Sequence, residues 1–160
     1  MNSPEKISLR DVQESDLAVF FEYQSDPEAN YMAAFTAKDP TDKDAFLAHW
    51  ARILNDETTT NKTILLGSEV VGHVASFEQF GEREVSYWIG KQYWGRGLAT
   101  QALTRFLADF TERPLHARAV KDNIASIRVL EKCGFTICGE DKGFANARGK
   151  EVEEFVFKLE

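Results

Sequence analysis

Cysteine is scarce in this 160-residue chain, which has two, Cys133 and Cys138. They form no CxxC pair and join no Cys/His cluster, so neither a zinc ribbon nor a dithiol redox centre is expected. At least one reads as a reduced core residue, and neither has a neighbouring base that would make it a nucleophile. His73 and His116 show no metal-ligand spacing, and no metal is expected. Long apolar runs are missing too. None approaches the roughly 20 residues that cross a bilayer, and the opening MNSPEKISLRDV has no hydrophobic signal core. The expectation is a cytoplasmic protein without a membrane partner.

Positive charge is in deficit: 19 Lys and Arg against 26 Asp and Glu leave a formal charge of −7. No basic run is present. Nucleic-acid binders need a clustered basic surface to neutralise phosphates, so no nucleic-acid partner is expected. A negative surface suits a cationic acceptor such as an amine. The hydrophobic fraction of 43% and 12 Phe read as globular. At this length a chain buries about 70% of its unfolded surface, so one domain over 1–160 needs no metal or disulfide staple.

Period and punctuation predict a strand over 7–10 and a helix capped by Ser15 that stops at Asp26-Pro27. A second helix opens at Thr41, with Asp44 three residues on. Its apolar stripe runs through Ala45, Phe46, His49, Trp50, Ile53 and Leu54, with His49 a packed residue. Strands follow over 63–66, 70–80 and 84–89, separated by turn signals at Gly67-Ser68 and Gly81-Glu82. From Gly97 the period changes: Leu98, Ala102, Leu103, Phe106, Leu107 and Phe110 trace one helical face. A strand over 115–120, a helix capped by Asn123 and stopped by Gly134, and two strands over 135–139 and 152–159 complete the order β-α-α-β-β-β-α-β-α-β-β. Hairpins plus crossovers imply an α/β protein with a mixed, mostly antiparallel central sheet and helices on both faces.

The informative stretch is Tyr93-Trp94-Gly95-Arg96-Gly97-Leu98-Ala99-Thr100, which joins a strand to a strongly amphipathic helix. Alternate glycines let backbone N–H groups turn toward a ligand, and a helix start adds unpaired N–H groups and a positive dipole. Together they form a phosphate cradle. No GxxxxGK[ST] is present, and GRGLAT fails the dinucleotide fingerprint. Lys91, Arg96 and Arg128 are the cations placed to meet phosphates.

YWIGKQYWGRGLATQAL followed by VKDNIASIRVLEKCGF resembles the GNAT superfamily of acetyl-CoA-dependent N-acetyltransferases, and within it the RimJ/RimL group. The resemblance spans nearly the whole chain. It implies the acyl-CoA N-acyltransferase fold, acetyl-CoA as the acetyl donor, and a protein N-terminus or small-molecule amine as acceptor, in a monomer or homodimer. The family's Q/R-x-x-G-x-G/A loop fits in two registers, from Gln92 or from Trp94. The second aligns WGRGLATQAL with the group's pattern and puts Trp94 at the usual Gln/Arg position.

The same resemblance implies that Tyr87, Trp88 and Ile89 end the strand that pairs with pantetheine, and that Asn123 contacts coenzyme A. It puts Leu130 where a tyrosine acid often stands, which leaves Ser126 or water to protonate the thiolate. Gln101 occupies a position where the family often has Glu. Two carboxylates compete as general base. Glu84 stands where relatives of this group often carry Glu. Glu153 shares a strand face with Phe155, Phe157 and Leu159, where a carboxylate must be paired, raised in pKa or functional. A non-catalytic acetyl-CoA-binding module of the same fold is the alternative reading.

Overall fold

The computed structural model describes residues 6–160. In chain order the elements are β1 (Ile7–Asp11), α1 (Asp16–Gln24), α2 (Pro27–Ala33), α3 (Lys43–Leu54), β2 (Thr60–Leu66), β3 (Glu69–Gln79) and β4 (Glu82–Ile89). After a 3₁₀ turn at Lys91–Tyr93 come α4 (Leu98–Asp109), β5 (Leu115–Val120), α5 (Ile124–Lys132), β6 (Thr136–Ala145) and β7 (Lys150–Leu159). The strands form one sheet in the order β1-β2-β3-β4-β5-β7-β6. Every pairing is antiparallel except β4 with β5. The parallel pair needs a crossover, and α4 supplies it.

The amphipathic pattern decides which helix covers which face. On α4, Leu98, Ala102, Leu103 and Phe106 are all buried. They lie at i, i+4, i+5 and i+8, a single stripe. With Leu130 of α5 they close over Val74, Val85, Ile89 and Phe157 of the sheet. The opposite face carries the first helices. Phe20 of α1 meets Trp50 of α3 at 5.2 Å and His73 of β3 at 4.7 Å between ring centroids. Burial among these rings drives the His73 pKa down to about 4, so its imidazole is neutral at pH 7.

Four local expectations change. Ser15 makes no side-chain cap; the carboxylate of Asp16 accepts from the Gln13 N–H instead. Asp42, not Thr41, caps α3 by accepting from the Ala45 N–H at 3.0 Å. In α3 only Trp50 is buried, with Phe46 and Ile53 half-buried, while His49 is exposed. The stripe is therefore i, i+4, i+7, narrower than the sequence pattern implied. Asp26-Pro27 ends α1 as expected but also starts α2, because Asp26 accepts from the Ala29 N–H while Pro27 fills the first helical position.

A buried ion pair ties the first helix to the sheet. Asp16 is 2% exposed. Arg10 of β1 donates to both its oxygens, at 2.6 and 2.9 Å, and Thr63 of β2 donates at 2.7 Å. Burial alone would raise the Asp16 pKa, but the Arg10, Gln13 and Thr63 hydrogen bonds outweigh it and hold the group at about 2. A depressed carboxylate pKa contributes stability above its unfolded value, about 4, and that contribution is lost as pH falls from about 4 to 2. Asp16→Asn should therefore cost roughly 3 kcal/mol at pH 7, because it leaves Arg10 without its charge partner. Urea unfolding at a series of pH values checks this: the deficit should shrink toward pH 2, and a deficit constant with pH would contradict it.

Candidate active site

The parallel strands β4 and β5 pair at one register position, Glu84 with His116. Beyond it they part. The Gly90 N–H donates to the Val71 carbonyl of the neighbouring strand. Bonding direction alternates along an antiparallel strand, so the N–H and C=O of Ile89 point the other way, into the gap. The Ile89 carbonyl is taken by the Trp94 indole N–H at 2.9 Å. Its N–H is left facing the opening.

That gap broadens into a cavity of about 600 Å³ running from the sheet to the start of α4. At its far end the backbone turns on Gly95 (φ 76°) and Gly97 (φ 74°), and Gly97 is the cap from which α4 begins. Both are left-handed, where an L-residue carries a penalty of roughly 1–2 kcal/mol. A β-carbon built on either would stand in open space, with no atom of the described residues beyond its chain neighbours within 4 Å. The unpaired N–H groups of Leu98, Ala99 and Thr100 and the helix dipole converge there. Arg128 and Lys132 of α5 stand on the facing wall. The chemistry is that of a pyrophosphate cradle.

The middle of the cavity holds two hydroxyls. Tyr87 of β4 and Ser126 of α5 are hydrogen-bonded at 2.8 Å. Ser126 is set there by Asn123, whose side chain accepts the Ser126 N–H at 3.2 Å and so caps α5. The Asn123 amide also donates to the Met32 carbonyl at 3.4 Å, tying this turn to α2. Burial pushes the Tyr87 phenol up to about 12, so both groups keep their protons at neutral pH. No cysteine lines the cavity.

A second cavity, of about 450 Å³, adjoins the first across Ala33, Phe35, Ser86, Arg118 and Glu154, which line both. Glu84 forms part of it and is 3% exposed. Arg118 of β5 donates through Nε to Glu84 at 3.1 Å, and through Nη1 to Glu154 at 2.8 Å and Asp141 at 3.0 Å. Burial raises the Glu84 pKa despite Arg118. The hydrogen bonds that Arg118 donates to three carboxylates raise its own pKa against its desolvation.

Of the residues singled out in the sequence, Tyr87, Trp88, Ile89 and Trp94 line the first cavity, as do Gly95, Gly97, Leu98, Ala99 and Thr100. Asn123, Ser126 and Arg128 complete the group. Four stand elsewhere. Arg96 lies outside the cavity, its guanidinium 5.7 Å from the Tyr93 ring centroid. Glu84 belongs to the second cavity. Glu153 lines neither: its carboxylate is exposed and takes Lys121 at 2.8 Å, which lowers its pKa. Lys91 is held by Glu28 at 2.6 Å, away from the cradle. Sequence reasoning missed Arg118, Asp141 and Glu154. Arg118 did leave a signal, as an arginine inside the mostly apolar strand LHARAV.

Comparison with known proteins matches residues 6–136 to the acetyltransferase (GNAT) domain. The chain belongs to the GNAT acetyltransferase family. It is thus an acyltransferase that uses acetyl-CoA, and the cradle, gap and cavity fit that donor. An N-acetyltransferase p20 of Bacillus licheniformis, itself of uncharacterised function, is 25% identical over 97% of this chain and 93% of its own. Two solved structures share the fold. Mycobacterium smegmatis RimJ, in complex with CoA-disulfide, has a TM-score of 0.80 at 20% identity, over 96% of this chain and 81% of that one. The spermidine N-acetyltransferase of Vibrio cholerae, in complex with CoA and spermine, has 0.78 at 18% identity, over 95% of each chain. Among the described residues, no helix is long and apolar enough to cross a membrane.

The cradle makes a direct prediction for this GNAT enzyme. Gly97→Val puts a branched side chain into the open space above the α4 start and strains a left-handed residue. Coenzyme A affinity should fall at least about tenfold, a loss of about 1.4 kcal/mol or more. The far-ultraviolet circular dichroism of the variant should stay native. Calorimetric titration with coenzyme A checks it, and unchanged affinity would overturn the cradle assignment.

Proposed function

We propose that the protein, as one domain spanning the chain, transfers acetyl directly from acetyl-CoA to a primary amine, with Glu84 as general base and Ser126 as general acid. The observation that carries this reading is the shared wall at Ser86, Arg118 and Glu154. It brings a cavity with a phosphate cradle against a second, carboxylate-lined cavity, so donor and acceptor approach one point from opposite sides. Acetyl-CoA supplies an activated acetyl thioester. The Vibrio cholerae structure holds CoA and an amine together, which supports a ternary arrangement in this fold.

Each role follows from position. The Ile89 N–H, facing the gap, is the backbone donor available to a carbonyl oxygen there. The amine must lose a proton to attack, and Glu84 is a buried carboxylate with a raised pKa on the acceptor side. A departing thiolate must gain a proton. Ser126 Oγ can give one, with the Tyr87 hydroxyl bonded to it stabilising the oxygen left behind until solvent returns the proton. With no cysteine in the cavity, direct transfer needs no thiol relay.

Ser126→Ala should lower turnover more than acetyl-CoA affinity, because its proton is needed only as the thiolate leaves. Thiol-release kinetics beside calorimetry separate the two, and wild-type turnover would move the role to water. Glu84→Gln cannot accept the amine proton. Because general-base catalysis contributes roughly 10²–10⁴ in rate, turnover at pH 7 should fall at least about tenfold, with partial recovery at higher pH as free amine accumulates. Glu153→Gln, on the outer surface, should keep the wild-type pH–rate profile. A lost acidic limb in that variant alone would reverse the assignment.

A further inference from the structure

The acetyl-transfer reading above places the acceptor in the second cavity, where Ala33 and Phe35 form part of the wall. Resting on that reading, we propose that Arg148 is a positioning residue: it fastens α2 to the turn that carries Asn123 and Ser126, and so sets the acceptor wall of the site. Arg148 stands in the turn between β6 and β7 and lines neither cavity. Its side chain is nonetheless only 2% exposed. All three guanidinium nitrogens are engaged. Nη1 and Nη2 donate to the two Asp122 oxygens at 2.7 and 3.0 Å, and Nε donates to the Tyr31 carbonyl at 2.7 Å. The Tyr31 ring centroid lies 3.8 Å from the guanidinium carbon. One side chain thus joins the β6–β7 turn, the residue before Asn123 and the last turn of α2. A planar fork can hold all of these at once, where an ammonium offers a single nitrogen.

The helix depends on such ties. It is seven residues long, too short to be stable alone, and of its residues only Ala29 and Asn30 are buried. A helix end leaves carbonyls without intrahelical partners. At the end of α2 they are met from outside. Arg148 takes the Tyr31 carbonyl, and the Asn123 amide takes that of Met32 at 3.4 Å. Just beyond, the Ala34 carbonyl accepts the Ala147 N–H at 3.2 Å, and the Thr36 carbonyl accepts the Asn146 amide at 2.7 Å. Residues 146–148 therefore supply three of these four donors.

The backbone records the same constraint. Ala34 holds φ 64° and ψ −62°, and the Phe35 N–H donates to the Ala33 carbonyl at 2.7 Å. This is a γ-turn of the rare, strained hand. Such strain persists only where the surroundings over-determine it. Ala34 is fully buried with Val120, Ala145 and Val152, and its carbonyl is held by the Ala147 N–H. The turn delivers Phe35, which lines both cavities. Met32 and Ala33, just before it, line the first cavity together with Asn123 and Ser126. Without the Arg148 fork the end of α2 is released, and Met32, Ala33 and Phe35 move with it. The cradle at the α4 start shares no hydrogen bond with the fork, so donor binding is spared.

Arg148→Lys keeps the charge and loses the fork. Amide hydrogen exchange over residues 27–36 should quicken at least about tenfold in this variant, while 16–24 stays within about twofold of wild type. Asp122→Asn should quicken the same segment at least about threefold. The Asp122 side chain is 58% exposed, so this second variant tests the proposal even if Arg148→Lys misfolds. Hexylamine, spermidine and glycinamide serve as acceptor probes in thiol release. For the best of them Arg148→Lys should raise the acceptor KM at least about tenfold, with kcat and calorimetric coenzyme A affinity within about threefold of wild type. Exchange over 27–36 unchanged in both variants would overturn the role. So would faster exchange with an unchanged acceptor KM, or an equal loss of coenzyme A affinity. Thiol release by the wild type from none of the three amines would overturn the transfer reading instead, and the exchange rates alone would then decide whether Arg148 holds α2.

Discussion

Beyond the Glu84–His116 pair, β4 and β5 no longer bond to each other, and the backbone groups on their facing edges have no ladder partner. Unpaired backbone N–H and C=O groups are costly to bury. The fold meets that cost in two ways. The Trp94 indole takes the Ile89 carbonyl, and the Ile89 N–H stays open to a cavity where a ligand can use it. The rest of the site depends on this divergence. Closed strands would leave no room between the Tyr87–Ser126 pair and the Arg118 cluster.

The opening is kept by elements packed on both faces. On one side α4 and α5 bury their apolar stripes against β4 and β5, which fixes the cradle at the α4 start and Ser126 at the α5 start. On the other, α1 is pinned by the Arg10–Asp16–Thr63 network. The Tyr23 hydroxyl donates to the Val70 carbonyl at 2.6 Å, fastening the same helix to β3. From there α2 leads Phe35 to the second cavity. Arg118 then joins β4, β5, β6 and β7 through one guanidinium, since Glu84, Asp141 and Glu154 lie on the other three strands. A planar fork with several donors suits that task, where a lysine would offer only a point charge.

Features governed by neighbours in sequence were legible in advance. Gly95 and Gly97 signal left-handed turns because no other residue adopts them without penalty, and both have positive φ. Asn123 signals a cap because its side chain reaches the N–H three residues on. Adjacent alternatives were harder. Thr41 and Asp42 both suit a cap, and the phase of α3 chose Asp42. Asp26-Pro27 reads as a stop, but the same two residues are also a start.

Amino-acid order alone determined the element order apart from α2, and the left-handed glycine turn at the start of α4, because each rests on backbone conformations set within a few residues. Tertiary structure decided which side chains meet. Glu153 and Glu154 are the same residue one position apart, and successive strand residues face opposite sides of the sheet. Lys121 takes the first at the surface and Arg118 takes the second beside the cavity. Arg118 lies 34 residues from Glu84 and 36 from Glu154, and Tyr87 lies 39 from Ser126. No local spacing encodes such pairs. They follow from sheet register and helix docking, which the whole core sets at once.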